Sequence, residues 1–294
     1  MLQKLKCNKN GDFTVLVVAN PQCEKEFQWK EAADELEILL KKEEPDFVLI
    51  NGDMETNNLI TKENWGIFIQ PIIERKIFWS TVNGNHDPFK KEINDMYLEF
   101  DKCLNKIIEN ERPLNYCIPV LGSKEEKTVF AIYGMDSGDA FIDDGWTGYT
   151  KKQLEWYRNC SEELKTENNG VPVTSMMCCH IPLQEVVSME ILHGVCNENM
   201  GRTSKALNVG TFEAIKEQGD VKILVFGHSH KINVIGELDG ILMGYAGKIS
   251  SGSYHDEFSR GGRIVKFNEN EPNKVVTYWS GVLPTSEDQP AVVI

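Results

Sequence analysis

Three short β-rich runs, Phe13 to Ala19, Phe47 to Ile50 and Ile77 to Val82, alternate with two amphipathic stretches, and this leaves little choice of architecture. Between the first two lies Trp29 to Lys42, where Ala32, Ala33, Leu36, Ile38, Leu39 and Leu40 recur among Glu and Lys at helical spacing. Lys62 to Glu74 reads as a second helix. Strand, helix, strand, helix, strand is the pattern of a βαβαβ unit with a parallel sheet. Each run ends in a polar loop, and open α/β sheets bind ligands at the carboxyl ends of their strands.

Beyond a helix predicted from about Lys90 to Ile107, the character shifts toward β. Residues 115–120, 128–134, 172–179, 222–226, 232–236, 240–245, 263–267 and 274–279 read as strands, with helices near 150–166 and 210–218. The fold class this predicts is α/β: two packed mixed β-sheets flanked by helices, an αββα four-layer sandwich, with residues 1–294 as a single domain. No internal repeat, low-complexity tract or Pro/Gly/Ser-rich linker breaks the chain. Residues 184–208 form a long connection, and loops of that length are often functional.

The formal charge of −14 speaks against a nucleic-acid binder, which needs clustered Lys and Arg to displace counterions. An acidic protein handles phosphate esters when bound metal ions reverse the local field. No window approaches the ~18 apolar residues of a membrane span, and the N-terminus lacks an apolar signal-peptide run, so the expected location is cytoplasmic. Eight cysteines without a Cys-x-x-Cys pair are neither a disulfide scaffold nor a zinc ribbon, and Cys178 and Cys179 read as small buried strand residues.

The strand-end loops carry the chemistry. In order they present Gly52-Asp53, Gly84-Asn85-His86-Asp87, Cys179-His180 and Gly227-His228-Ser229-His230. Singly each is a weak signal, because Asp after Gly is usually a turn residue and a lone His is usually structural. Together they hold four of the six histidines, each after an apolar run. Imidazole, carboxylate and amide oxygen jointly suit Mn, Fe or Zn. The set is too rich in oxygen for a closed structural zinc site. No cysteine opens a phosphate loop, and Cys196 to Arg202 is too acidic to cradle an anion.

In this order the motifs resemble those of the calcineurin-like metallophosphoesterases, and within them a purple acid phosphatase-like branch. The resemblance runs over about residues 12 to 280. It is carried further by Tyr133-Gly-Met-Asp136-Ser-Gly-Asp139, Cys179-His180-Ile-Pro-Leu, Gly219 to His230, Tyr254-His255 and Arg260-Gly-Gly-Arg263. It implies two adjacent metal ions bridged by Asp53, one of them held also by Asn85, His180 and His228. The other would take Asp53, His230 and the outer residues of an Asp-x-His motif after the first strand. Here the chain departs from the family, with Asn20 in place of Asp and Gln22 in place of His. A lost carboxylate and a lost imidazole weaken that site, so one ion is expected to bind firmly. Cys23 is a poor substitute, since it would have to displace Gln22.

The resemblance further implies hydrolysis of phosphate esters, monoesters foremost, by metal-activated water. His86 would act as general acid on the leaving oxygen, with Asp87 orienting it. The altered Asn20 and Gln22 favour a rival expectation: an inactive fold whose loop face binds a protein partner. Trp146 and Tyr149, after Asp143-Asp144-Gly145, and the pair Tyr254 and His255 are weaker candidates for a pocket rim. The acidic surface favours small esters over polyanionic substrates.

Overall fold

The computed structural model describes residues 5–56, 60–87, 91–105, 115–138, 141–142, 145–146 and 148–294. The strands, in chain order, are β1 Leu5–Lys6, β2 Asp12–Val18, β3 Phe47–Asn51, β4 Phe78–Val82, β5 Asn115–Leu121, β6 Thr128–Met135, β7 Phe141–Ile142, β8 Gly145–Trp146, β9 Ser175–Cys179, β10 Glu190–His193, β11 Val221–Phe226, β12 Ile235–Leu238, β13 Ile241–Tyr245, β14 Gly261–Asn268, β15 Val275–Gly281 and β16 Val292–Val293. The helices are α1 Glu26–Glu43, α2 Lys62–Glu74, α3 Lys91–Leu98, α4 Lys151–Glu167, α5 Met200–Thr203 and α6 Thr211–Gln218.

Two mixed sheets form the centre. One has the order β1-β5-β6-β9-β11-β13-β12-β10, the other β16-β15-β14-β2-β3-β4. In the second, β2, β3 and β4 run parallel and β14 closes antiparallel on β2, while in the first β6, β9, β11 and β13 are mutually parallel. Alternation sorts the side chains. Val15, Val17, Phe47 and Leu49 meet Met176, Cys178, Ile223 and Val225 in the layer between the sheets. Leu16, Val18, Val48 and Ile50 face the other way, under α1 and α2. Met177, Cys179, Leu224 and Phe226 pack outward against residues of α4 and α6. Strands covered on both faces lose their polar alternation, which is why they read as unbroken apolar runs. The four-layer sandwich expected from the sequence is the architecture observed.

Helix α2 starts at Thr61, whose hydroxyl accepts the Asn64 N–H, and it contributes Trp65 and Phe68 to an aromatic cluster. The Trp65 ring lies 4.3 Å from that of Tyr97, 5.8 Å from Trp79 and 6.5 Å from Trp29. Trp65 is fully buried. Trp65→Ala is therefore expected to cost ~3–5 kcal/mol, read as a lowered midpoint in urea unfolding.

Two expectations need correction. The helix read as reaching Ile107 ends at Leu98, and Cys103 instead bridges Trp79 of β4, with Trp79 N–H donating to Lys102 O and Leu104 N–H to Trp79 O. Lys102 at φ 66 makes the turn between the two; Lys106 and Ile107 lie outside the described residues. The 184–208 connection, read as having helix-like pieces, also contains β10, which pairs antiparallel with β12 at the sheet edge. Its four residues are mostly exposed, so no apolar alternation marks them.

Candidate metal centre

The ends of β2, β3, β4, β9 and β11 converge because the last residue of β3 ties the two sheets together. The Asn51 side-chain amide donates to Cys179 O and Val225 O, each at 3.2 Å, and the Asn51 carbonyl faces His180 Nδ1 at 2.7 Å. The loops after these strands then share hydrogen bonds: Asn20 N–H donates to Gly52 O, Gln22 N–H to Asp53 O and Gly227 N–H to His180 O. Asn20, Gln22, Asp53 and His228 all have positive φ, at 53, 38, 55 and 64°. Non-glycine residues rarely adopt this backbone, and they hold it where the surrounding contacts over-determine it. Four of the residues expected to gather round metal are thus bent sharply toward one place.

Asp53 lies at that place, buried. Its Oδ1 accepts the His86 N–H at 2.9 Å, and its Oδ2 lies 3.0 Å from both Gln22 Nε2 and His180 Nε2. Burial alone would raise the carboxyl, but the adjacent His180, with His86 and His228 beyond it, holds it far below the usual range. His180 is fully buried; burial would lower its imidazole, and the Asp53 charge outweighs that and raises it. His180 Nδ1 is committed to the Asn51 carbonyl, while Nε2 has no aligned hydrogen bond. His180 Nε2 and Asp53 Oδ2 are thus two ligand-type atoms within reach of one cation, and without one they face each other as an ion pair. Single ligand atoms of Asp53, His180 and His228 all come within 4.8 Å of one another. Burial pushes His228 down to about 3, so its ring stays neutral and keeps a lone pair. Asn85 Oδ1 sits 2.8 Å from His228 Nδ1, on the edge of the same cluster. The donor set fits a divalent ion of the Mn, Fe or Zn kind.

Asp87 has a different place from the one expected. Its oxygens accept backbone N–H groups of Asp53 at 2.8 Å, Met54 at 2.7 Å and Gly84 at 2.7 Å, so it ties the loops after β3 and β4 together, and no hydrogen bond joins it to His86. The His86 side chain is exposed and lines a cavity of about 960 Å³, which also reaches Asp53, Asn85, His228, His230 and Gln22. His230 Nδ1 lies 2.7 Å from the Tyr254 carbonyl, and its ring stacks on that of Tyr254 at 4.1 Å. Burial pushes His230 down to about 3, which leaves Nε2 as its acceptor.

Residues 13–232 match the calcineurin-like phosphoesterase family over most of the chain. The chain belongs to this family. It is 26% identical to probable inactive purple acid phosphatase 29 of Arabidopsis thaliana, over 92% of this chain and 81% of that protein. It is 25% identical to probable inactive purple acid phosphatase 28 of the same plant, over 84% of this chain and 68% of the relative. Among solved structures, a dimetal phosphatase from Danio rerio superposes with a TM-score of 0.59 at 11% identity, covering 96% of this chain and 98% of the other.

In this member of the calcineurin-like phosphoesterase family, sequence reasoning missed most of the cavity lining that lies outside the ligand loops. That lining comes from the 184–208 connection: Glu198, Asn199, Arg202, Thr203 and Lys205. Glu198 is absorbed internally, taking the His230 N–H at 3.0 Å and the Tyr254 hydroxyl at 2.8 Å. The unusual length of that connection was the one available signal. Trp146 lines the cavity, its ring edge-on to His228 at 5.0 Å, whereas Tyr149 is buried with its hydroxyl donating to Ile181 O. Tyr254 lines the cavity and His255 does not, its Nδ1 lying 3.2 Å from Ser253 O. Asp139, Asp143 and Asp144 lie outside the described residues. Cys23 is buried, and burial pushes its thiol up to about 12; it does not line the cavity. Among the described residues no helix is long and apolar enough to cross a membrane.

Proposed function

We propose that this chain hydrolyses phosphate esters, small monoesters foremost, at a centre built round one divalent ion. The observation that carries this reading is the Asp53–His180–His228 cluster, two of its members buried and His180 Nε2 without an aligned hydrogen bond, next to the cavity that His86 lines. An ion held by Asp53, Asn85, His180 and His228 would supply Lewis-acid polarisation of a phosphoryl oxygen and lower the pKa of a bound water. The protein's own groups do the rest. Asp53 and His180 fix the ligand geometry from a fully buried position, and the Asn51 carbonyl holds the His180 ring in one orientation. His86, exposed to the cavity, would give a proton to the leaving oxygen, and its backbone N–H, bonded to Asp53, ties it to the ligand cluster. Arg202 and Lys205 in the cavity lining favour an anionic substrate in an otherwise acidic protein.

A general acid leaves a particular signature. His86→Ala is expected to lower kcat by ~10²–10⁴-fold on phenyl or alkyl phosphates, whose leaving groups need the proton. On p-nitrophenyl phosphate, with its good leaving group, the loss should be much smaller. Equal losses on both would remove His86 from that role. The word inactive in the names of the Arabidopsis relatives keeps a second reading in play, a fold without turnover; that such a fold would bind a protein through its loop face is a proposal of its own. A wild type that takes up metal yet turns over neither ester would support it.

A further inference from the structure

Lys248 follows β13 and is fully buried, yet among the described residues it forms no ion pair. Its ammonium donates instead to the Asn20 backbone carbonyl, at 2.7 Å. Around it, residues 247–252 clamp the loop after β2. The Ala19 carbonyl accepts the Ile249 N–H at 3.1 Å, the Pro21 carbonyl accepts the Ser250 hydroxyl at 2.5 Å, and Gly252 presses on the Gln22 carbonyl so closely that a Cβ there would come within 2.1 Å.

The Asn20 side chain is equally committed. Its Oδ1 accepts the His228 N–H at 3.0 Å, and its Nδ2 donates to the Gly247 carbonyl at 2.6 Å. Gln22 turns Nε2 toward Asp53 Oδ2, because the opposite orientation would set oxygen against oxygen. Its Oε1 has no protein partner. On this side of Asp53 the protein therefore offers the Gln22 Nε2 and Lys248 Nζ donors, and of the two altered side chains only the neutral Gln22 Oε1 keeps an unshared lone pair for a cation. The Asp-x-His pair of the family is replaced by a hydrogen-bonded strut, and a second ion does not fit it.

We infer that Lys248 is the resident cation of this half-site and is what bars a second metal ion, so that restoring the two altered ligands alone does not restore the second ion. The inference rests on the single-ion reading above. A carboxylate at position 20 would lose the bond from Nδ2 to Gly247 O, and the Lys248 amine, which already bonds the backbone carbonyl of that same residue, would be the cation available to it. Lysine and carboxylate would then satisfy each other, and the carboxylate would be withdrawn from metal. Burial pulls the Lys248 ammonium down, and the charges of Asp53 and Glu35 oppose this, while Nζ donates to Asn20 O. Arg260, the other cation near it, is paired with Glu35 and Glu31.

The test counts ions and does not read turnover. Manganese content after equilibrium dialysis would be compared among the wild type, Asn20→Asp/Gln22→His, the same pair with Lys248→Met, and the same pair with Lys248→Arg. The wild type, the double variant and the Lys248→Arg triple variant should hold the same number of ions. The Lys248→Met triple variant should hold one more, with the electron paramagnetic resonance signature of a coupled manganese pair. If Lys248→Met prevents folding, Lys248→Gln removes the charge while keeping an N–H donor for Asn20. Two ions in the wild type, an added ion in the double variant with Lys248 intact, or no gain in the folded triple variant would each overturn the inference. A protein that takes one ion and turns over nothing would refute the hydrolase reading and leave this one standing.

Discussion

Asp53→Asn is expected to abolish metal uptake and, with it, all metal-dependent hydrolysis, while leaving the fold intact. The carboxylate is the one anion shared by His180, Gln22 and the His86 N–H. Losing outer partners of a metal ligand already costs ~10–100-fold in affinity, so losing the central charge should cost more. The backbone tolerates the change, since Asn adopts the left-handed conformation that φ 55 requires more readily than most residues. The change also relieves Asp87, whose buried carboxyl is raised by burial and by the Asp53 charge next to it. Calorimetric titration with manganese should show no binding. Thermal unfolding of the metal-free variant should remain a single cooperative transition, which separates loss of metal from loss of the fold. Metal uptake by Asp53→Asn at wild-type affinity would remove Asp53 from the centre.

Gly84→Ala should damage the centre from the backbone side. The β3 and β4 loops pass so close that a Cβ on Gly84 would sit 2.2 Å from Asp53 Oδ1 and 2.4 Å from Asp53 N. The backbone cannot yield, because Asp87 holds both the Asp53 and Gly84 N–H groups on one carboxylate oxygen, and Asp53 Oδ1 is itself held by the His86 N–H. The methyl would push the two loops apart and displace the carboxylate from His180. Overpacking of this kind costs ~1–3 kcal/mol, to be read in urea unfolding, and metal binding should be lost together with stability. Wild-type metal affinity in this variant would mean that the loops are looser than these distances imply.

The residues legible in the sequence were those whose chemistry is local. Gly84-Asn85-His86-Asp87 and Gly227-His228-Ser229-His230 each follow an apolar strand, so strand pattern and motif could be read in one window, and the two-sheet architecture followed from the same alternation. Lys248 and Glu198 could not be found that way. They reach the centre from after β13 and from the 184–208 connection, and a buried lysine or an absorbed glutamate has no sequence signature until the tertiary fold puts it beside Asn20 or His230. The role of Asp87 was misjudged for a related reason. Adjacency to His86 suggested that the two side chains meet, whereas the turn sends the carboxylate back to three backbone N–H groups. The short strands β1, β10 and β16 escaped notice because two to four residues are too few for a period to show.

The most direct measurement is metal content and p-nitrophenyl phosphate turnover on the same wild-type sample, before and after chelation and after readdition of manganese. One tightly held ion per chain, with turnover lost on chelation and regained on readdition in proportion to that ion, is the predicted result. A protein that holds no ion, or whose turnover is indifferent to the ion it holds, would contradict a single-metal phosphoesterase.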